Sequence, residues 1–145
     1  MECTVQWTGG DGMAMLASTG SGHLLTMDGA PASKPGDVGG HDLAPRPMEV
    51  LLAAAGGCTT FDIVMILKRG RQDVRGCTVK LSGERADTDP KVYTSIHMHY
   101  TVSGRGLTQA AVERAVQLSH DKYCSASIML AKTATLTHTL EVIEV

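Results

Sequence analysis

The 145-residue chain is long enough for a single domain with a hydrophobic core, residues 1–145, and too short for two domains of ordinary size. Its net charge of −2 and its lack of a long basic run argue against nucleic acid and membranes as partners. Aromatic residues make up only 3% of the chain, so small aliphatic side chains and eight methionines must form the core. A second copy of the chain often completes such a core, and we therefore expect an oligomer.

The N-terminal third of the sequence predicts short strands followed by a long loop. Residues 3–7 form a β-rich segment, and residues 13–18 and 23–28 flank a Thr-Gly-Ser-Gly turn, which predicts a hairpin. Residues 29–46 contain three of the five prolines, a composition typical of a functional or disordered loop. The first residues have neither a basic flank nor an apolar run, so we expect no signal peptide.

A long apolar helix is predicted to begin at Pro47 and to end near Arg69, with Gly70 as its stop. Glu49 lies in its first turn, where the helix dipole favours a carboxylate. Because apolar side chains occur nearly all round it, we expect this helix to be buried. Its longest uncharged run, residues 50–61, is shorter than the roughly 18 residues of a membrane span, so we expect none.

The C-terminal half alternates strands and helices. Residues 77–85 and 91–102 have the alternating pattern of half-buried antiparallel strands, and residues 135–145 predict a final strand. Residues 107–118 predict an amphipathic helix, with an apolar stripe at positions 107, 111, 115 and 118. The order favours an α+β fold, with a mainly antiparallel sheet packed against the long buried helix and a second helix.

Two of the four cysteines lie at the edge of apolar helical segments, namely Cys58 and Cys124. The spacing of the four matches neither CxxC nor a zinc motif, and free thiols fit the cytoplasm. Cys124 precedes a predicted helix start, where backbone N–H groups stabilise a thiolate, whereas Cys58 needs a partner from elsewhere. A structural role in the core stays open for Cys58 and is favoured for Cys77 and Cys3.

Three further candidates have a structural and a functional interpretation. His97 and His99 have a spacing that can hold a metal, but a solvated polar strand face is favoured. His138 shares a strand face with apolar residues, which favours a core histidine. Asp62 lies on nearly the same helix side as Cys58, where it either orients a partner or bonds a backbone group.

Three sequence segments carry a resemblance to a known family. They are Pro47-x-Glu49-x-Leu-Leu-Ala-Ala-Ala-Gly-Gly-Cys58, Lys122-Tyr-Cys124-Ser and Thr137-His-Thr-Leu-Glu-Val142. Together they resemble the OsmC/Ohr family of osmotically inducible and organic hydroperoxide resistance proteins. The Gly-Gly-Cys segment and Arg69-Gly-Arg-Gln-Asp-Val74 look most like its YhfA-type branch.

The resemblance implies an OsmC-like fold and an intertwined homodimer with two sites at its interface. It implies a thiol-dependent peroxidase for organic hydroperoxides, with Cys58 as peroxidatic cysteine, Cys124 as resolving cysteine and Glu49 as supporting carboxylate. An external dithiol would reduce the enzyme in the cytoplasm, and no metal or organic cofactor would be needed. Family members stabilise the thiolate with an arginine, for which Arg46 is the nearest candidate here and Lys34 the next.

The spacing of Glu49 and Cys58 predicts how such a dimer builds its site. The two residues are nine positions apart, which is about 13.5 Å along a straight helix, and they point to opposite sides. We therefore expect Glu49 to serve the Cys58 of a partner subunit across a two-fold axis. The alternatives are a non-catalytic dimer that binds an apolar or thiol-bearing ligand and, less favoured, metal binding by Cys58 and Cys124.

Overall fold

The computed structural model describes residues 1–145 and contains two compact units, Met1–Leu51 and Leu52–Val145. Two three-stranded sheets and three α-helices confirm the predicted α+β class. The elements are β1 (Cys3–Trp7), β2 (Met15–Thr19), β3 (Leu24–Met27), α1 (Pro47–Arg69), β4 (Asp73–Arg85), β5 (Tyr93–Arg105), α2 (Gln109–Leu118), a π-helical turn (Ser119–Tyr123), α3 (Ser125–Leu130) and β6 (Thr135–Glu144). That both units make up a single domain stays a prediction.

The first unit contains the predicted hairpin and the long loop after it. Strands β1, β2 and β3 form an antiparallel sheet in that order. The buried carboxylate of Asp28 accepts hydrogen bonds from the backbone N–H groups of Gly29, His41 and Leu43, at 2.7, 3.1 and 3.1 Å. These bonds, that of Leu43 first, hold the pKa of Asp28 below its usual value against the effect of burial. One side chain thus ties both ends of the loop together.

Helix α1 has the predicted bounds, and a Schellman motif ends it. The N–H of Gln72 bonds to the carbonyl of Leu67 at 3.0 Å, and the N–H of Arg71 bonds to that of Lys68 at 3.0 Å. The left-handed residue of this motif is Arg71, with φ of 58°, and not Gly70 as the sequence pattern predicted.

Helix α1 contributes one face to the core, and its other face is exposed in this chain by itself. Its buried residues lie on one face and are Ala55, Gly56, Thr59, Asp62, Ile63 and Leu67. On the other face Phe61 is 68% exposed. By length and composition α1 is able to cross a membrane, since an 18-residue window has a mean hydropathy of 2.0, although a third of that window is buried in the fold. The apolar part of the helix is therefore longer than the twelve-residue uncharged run that the sequence analysis considered. Its buried residues contribute to the core of the fold.

The second unit is built around the central strand of the sheet β4-β5-β6. Four side chains of β5 are fully buried, namely Ile96, Met98, Tyr100 and Val102. The β4–β5 pair is antiparallel as predicted, whereas β6 runs parallel to β5, from Ser95 opposite Thr135 to Gly104 opposite Glu144. A parallel pair needs a long crossover, which α2, the π-helical turn and α3 supply.

Helix α2 covers this sheet with a stripe that differs from the predicted one. Its buried residues are Val112, Ala115 and Val116. Position 115 was predicted to be in the stripe, whereas the predicted positions 111 and 118 lie beside it. On β5, His97 and His99 accept or donate hydrogen bonds with threonines of β6, at 2.8 to 3.2 Å. This agrees with the polar strand face that was favoured over a metal site.

Candidate thiol site

Two cysteines from distant parts of the sequence lie together in the second unit. Cys58 is in the middle of α1 and Cys124 immediately precedes α3. Their sulfur atoms and a carboxylate oxygen of Asp62 all lie within 4.8 Å of one another. Cys124 and Asp62 are buried, Cys58 is half-buried, and both thiols are free. A disulfide needs about 2.05 Å between its sulfurs, so the two atoms would have to move closer for a bond to form.

The π-helical turn and α3 place the sulfur of Cys124. The N–H of Cys124 closes the turn on the carbonyl of Ser119 at 2.8 Å, and Cys124 is then the N-cap residue of α3. Its sulfur accepts the N–H of Ser127 at 3.4 Å and lies 3.1 Å from the Ser127 hydroxyl. Burial nevertheless raises the pKa of Cys124, and the adjacent Cys58 adds to this, so that Cys124 is a neutral thiol at neutral pH.

Two adjacent glycines before Cys58 have different surroundings. A Cβ atom on Gly56 would lie 2.7 Å from Cδ1 of Leu81 and 3.3 Å from Cγ1 of Val79, so Gly56 allows α1 to approach β4 closely. A Cβ atom on Gly57 would meet nothing within 4 Å. One glycine therefore sets the packing of the helix, and the other leaves the surface beside Cys58 open.

A chain of hydrogen bonds leads from Asp62 through the core. The hydroxyl of Ser119 donates to Oδ2 of Asp62 at 3.1 Å, and Thr59 Oγ1 lies 3.0 Å from Ser119 Oγ. Thr59 Oγ1 also lies 3.0 Å from the Tyr100 hydroxyl, which lies 3.0 Å from Nε2 of His120. We call these five residues the Asp62 chain. Helix α1, β5 and the π-helical turn each contribute to it, so the packing of all three elements fixes its geometry.

The outer end of the Asp62 chain is a stacked pair of imidazole rings. The rings of His120 and His138 lie 4.9 Å apart with an interplanar angle of 8°. Burial lowers the pKa of His120, and His138 adds to this, because two cations would repel each other. His138 is exposed, so its interpretation as a core histidine is wrong. The last strand presents it to His120 and to solvent.

Glu49 and Arg46 have local partners in the first unit. The carboxylate of Glu49 accepts the backbone N–H of Arg46 at 2.8 Å, which satisfies a free donor at the start of α1. The guanidinium of Arg46 pairs with Asp42 at 3.1 Å, and both side chains are about half exposed. The supporting role of Glu49 and the thiolate-stabilising role of Arg46 stay predictions.

The three groups of the thiol site are of the kinds that bind thiophilic metals. Asp62 adds a third donor to the alternative in which Cys58 and Cys124 bind a metal. A structural zinc site takes four protein ligands, whereas a catalytic zinc site takes three, the number that this cluster offers. Metal binding therefore stays an alternative to the redox pair.

Sequence reasoning singled out Asp62 and missed the four other members of the Asp62 chain, namely Thr59, Tyr100, Ser119 and His120. One usable signal was Tyr100, which carries a hydroxyl between the buried apolar residues Met98 and Val102 of β5. Another was Thr59, a polar residue directly after Cys58 in an apolar helix.

The fold and sequence of this chain are similar to those of known proteins. A family model described as OsmC-like protein matches residues 39–139. Protein YhfA of Escherichia coli (strain K12) is 46% identical over 143 residues, which are 99% of this chain and 98% of that protein. A hypothetical protein from Aquifex aeolicus VF5 is 28% identical, with a TM-score of 0.82 over 99% of this chain and 96% of its own.

More distant structures share the fold. An organic hydroperoxide resistance protein OsmC from Legionella pneumophila is 18% identical, with a TM-score of 0.68 over 98% of both chains. At this identity the likeness concerns the fold alone. The family model and the YhfA relative, in contrast, extend over most or nearly all of the sequence. This chain therefore belongs to the OsmC family.

Proposed function

We propose that this protein is a thiol-dependent peroxidase that reduces organic hydroperoxides. The observation that supports it best is the juxtaposition of two free thiols, Cys58 and Cys124, in one partly accessible site. A peroxidase with a resolving cysteine requires such a pair. The name of the Legionella pneumophila protein with the same fold supports the choice of organic hydroperoxides.

The exposure of the two thiols divides their roles. Cys58 is half-buried beside the open position of Gly57, so a hydroperoxide can reach it. Cys124 is fully buried, which shields it from substrate and suits a resolving thiol. Cys58 is therefore the peroxidatic residue in this proposal.

The proposed cycle has three steps. The Cys58 sulfur attacks the distal oxygen of the hydroperoxide, the O–O bond breaks, an alcohol leaves and Cys58 becomes a sulfenic acid. The Cys124 thiol condenses with it, which releases water and forms a disulfide. An external dithiol then reduces this disulfide by exchange, and becomes oxidised itself. No step uses a metal or organic cofactor.

A homodimer is part of the same proposal. The face of α1 that is exposed in this chain carries Phe61, Val64 and Met65, and a second copy would remove it from water. Glu49 of that second copy would then support Cys58. We place the cycle in the cytoplasm, because a dithiol reductant requires a reducing compartment, and we propose neither nucleic acid nor a membrane as a partner.

The test of the proposal is a thiol titration after addition of one equivalent of cumene hydroperoxide, with mass mapping of any disulfide. We expect rapid loss of two thiols per chain and a Cys58–Cys124 linkage. Cys58→Ser should abolish the reaction, and Cys124→Ser should stop at a sulfenic acid that dimedone traps. Cys77→Ser is the matched control and should react like the wild type. Oxidation no faster than that of free cysteine would reject the peroxidase.

A second candidate function is non-catalytic binding of an apolar ligand. The observation that favours it is a groove of about 460 Å³ on the exposed face of α1. Its lining residues are Thr60, Phe61, Val64, Met65, Lys68 and Arg69. Thiols that do not react with hydroperoxide would favour this candidate over the peroxidase.

A further inference from the structure

A buried carboxylate next to two thiols needs a physical reason. Asp62 is only 8% exposed, and its carboxylate lies within 4.8 Å of both sulfurs. A buried charge is costly unless it is hydrogen-bonded, and a negative charge disfavours a thiolate beside it. Asp62 therefore does not support Cys58 or Cys124 as an electrostatic partner. Exchange of a proton is the useful chemistry that remains.

We propose that Asp62 is the acid–base residue of the thiol site and serves Cys58 and Cys124 in turn. This inference rests on the proposed peroxidase function. It follows from the position of one carboxylate near both sulfurs and from the direction of the hydrogen bonds in the Asp62 chain. It gives the site a means of activating a thiol that does not depend on a cation.

The directions of the hydrogen bonds in the Asp62 chain follow from its inner end. The hydroxyl of Ser119 donates to Oδ2 of Asp62, and this bond uses its single proton. Thr59 must then donate to Ser119, and Tyr100 must donate to Thr59.

The same reasoning extends to the outer end of the chain. Nε2–H of His120 donates to the Tyr100 oxygen, because the single Tyr100 proton is already used on Thr59. The thioether of Met98, 3.1 Å from the Tyr100 hydroxyl, is a weak acceptor that competes poorly for that proton. Every donor therefore points toward Asp62, and the chain ends on a carboxylate oxygen that accepts.

The first proton transfer accompanies attack on the hydroperoxide. Asp62 accepts the S–H proton of Cys58 while the sulfur forms a bond to the distal oxygen and the O–O bond breaks. The resulting carboxylic acid returns that proton to the departing alkoxide, which leaves as an alcohol. Sulfur loses two electrons and the hydroperoxide gains them, and Asp62 is again ionised.

The second transfer serves the resolving step. Cys124 is a neutral thiol at neutral pH because burial raises its pKa, so its attack on the sulfenic acid also requires a base. Asp62 accepts the Cys124 proton while the S–S bond forms and the S–O bond of Cys58 breaks. The proton then joins the departing hydroxide as water. One carboxylate thus balances both steps.

The test compares two reactions of the full-length Asp62→Asn variant at pH 7, namely alkylation by iodoacetamide and reduction of cumene hydroperoxide. Iodide leaves without a proton, whereas an alkoxide requires one. We expect the second-order rate with hydroperoxide to fall about 100-fold. Alkylation of Cys58 uses Asp62 as a base but needs no acid for its leaving group, so its rate should fall by less, about tenfold. Asp73→Asn, at an exposed carboxylate bonded to Arg75, is the matched control and should change neither rate.

A second variant covers the case in which Asp62→Asn does not fold. Ser119→Ala keeps the carboxylate and removes its donor, and we expect the hydroperoxide rate to fall about tenfold and the alkylation rate to fall by less. Equal losses in both reactions, or no loss in either, would overturn the role of Asp62. A wild type that does not react with hydroperoxide would reject the proposed function itself, which is a different result.

Discussion

The hydroxyl of Tyr100 is the junction of the Asp62 chain. It lies 3.0 Å from both Thr59 Oγ1 and His120 Nε2, on the buried face of β5. Burying such a group without partners is costly, and here each member of the chain has one. Burial raises the pKa of Tyr100 to about 12, so its hydroxyl remains a neutral donor throughout the physiological range.

We expect Tyr100→Phe to lower the free energy of unfolding by about 1–3 kcal/mol, because Thr59 and His120 both lose a buried partner. Urea denaturation measures this change. Absorbance at 295 nm after a rapid pH jump should also lose the ionisation step near pH 12. Tyr123→Phe, at an exposed side chain, is the control and should keep that step. An unchanged free energy of unfolding would show that the hydrogen bonds of the Asp62 chain do not stabilise the fold.

Helix α1 depends on its two glycines in opposite ways. Gly56 faces β4 at a distance that leaves no room for a methyl group, whereas Gly57 faces open space. Glycine in a helix interior costs about 0.5–1 kcal/mol relative to alanine. At position 56 close packing compensates for this cost, and at position 57 no contact within the chain does.

We expect Gly56→Ala to lower the free energy of unfolding by about 1–2 kcal/mol, because Leu81 and Val79 must move to admit the methyl group. Gly57→Ala should raise it by about 0.5–1 kcal/mol through helix propensity. The urea concentration at the midpoint of denaturation measures both effects, provided that the slope of the free energy of unfolding against urea concentration is unchanged. A loss at position 57 as large as that at position 56 would indicate that a second chain covers Gly57.

Local signals in the sequence predicted where helices and strands begin better than they predicted how these elements pair and which faces are buried. The start of α1 at Pro47, the first hairpin and the Cys124 N-cap depend on near neighbours in the sequence, and the structure has all three. The parallel direction of β6 depends on a distant crossover, which the pattern of a single strand does not show. Phe61 is exposed in this chain although the helix is apolar nearly all round, so the apolar pattern alone does not determine which face is buried.

The candidate site shows the same division. The resemblance identified Cys58 and Cys124 as a pair, and helical spacing placed Asp62 beside Cys58. The Asp62 chain joins residues up to 61 positions apart in the sequence, from Thr59 to His120, and only tertiary packing brings them together. No periodicity carries that information.

Across the whole molecule, four partly buried groups favour their neutral form. Burial is the largest cause in each case: it raises the pKa values of Cys77, Cys124 and Tyr100 and lowers that of His120. A raised pKa means that the folded state holds the proton more tightly than the unfolded state does. The stabilising contribution of each thiol to the free energy of unfolding is therefore lost as pH rises through the thiol range. The lowered pKa of His120 acts in the opposite direction: its contribution to the free energy of unfolding is lost as pH falls below about 6.5.

We therefore expect thermal stability, measured with a reductant present, to be greatest between about pH 6.5 and 8.5 and to fall on both sides. Cys77→Val keeps the apolar contacts of β4 without a titrating group, so it should make the alkaline fall shallower and leave the acid side unchanged. His120→Gln keeps a donor near Tyr100 and should flatten only the decline between pH 6.5 and 5. Between about pH 5 and 10 the two thiols act on the alkaline side and His120 acts on the acid side, so within this range the alkaline fall should be the steeper. If both variants follow the wild-type curve, other groups must govern the pH dependence, because these substitutions remove one titrating group from each side.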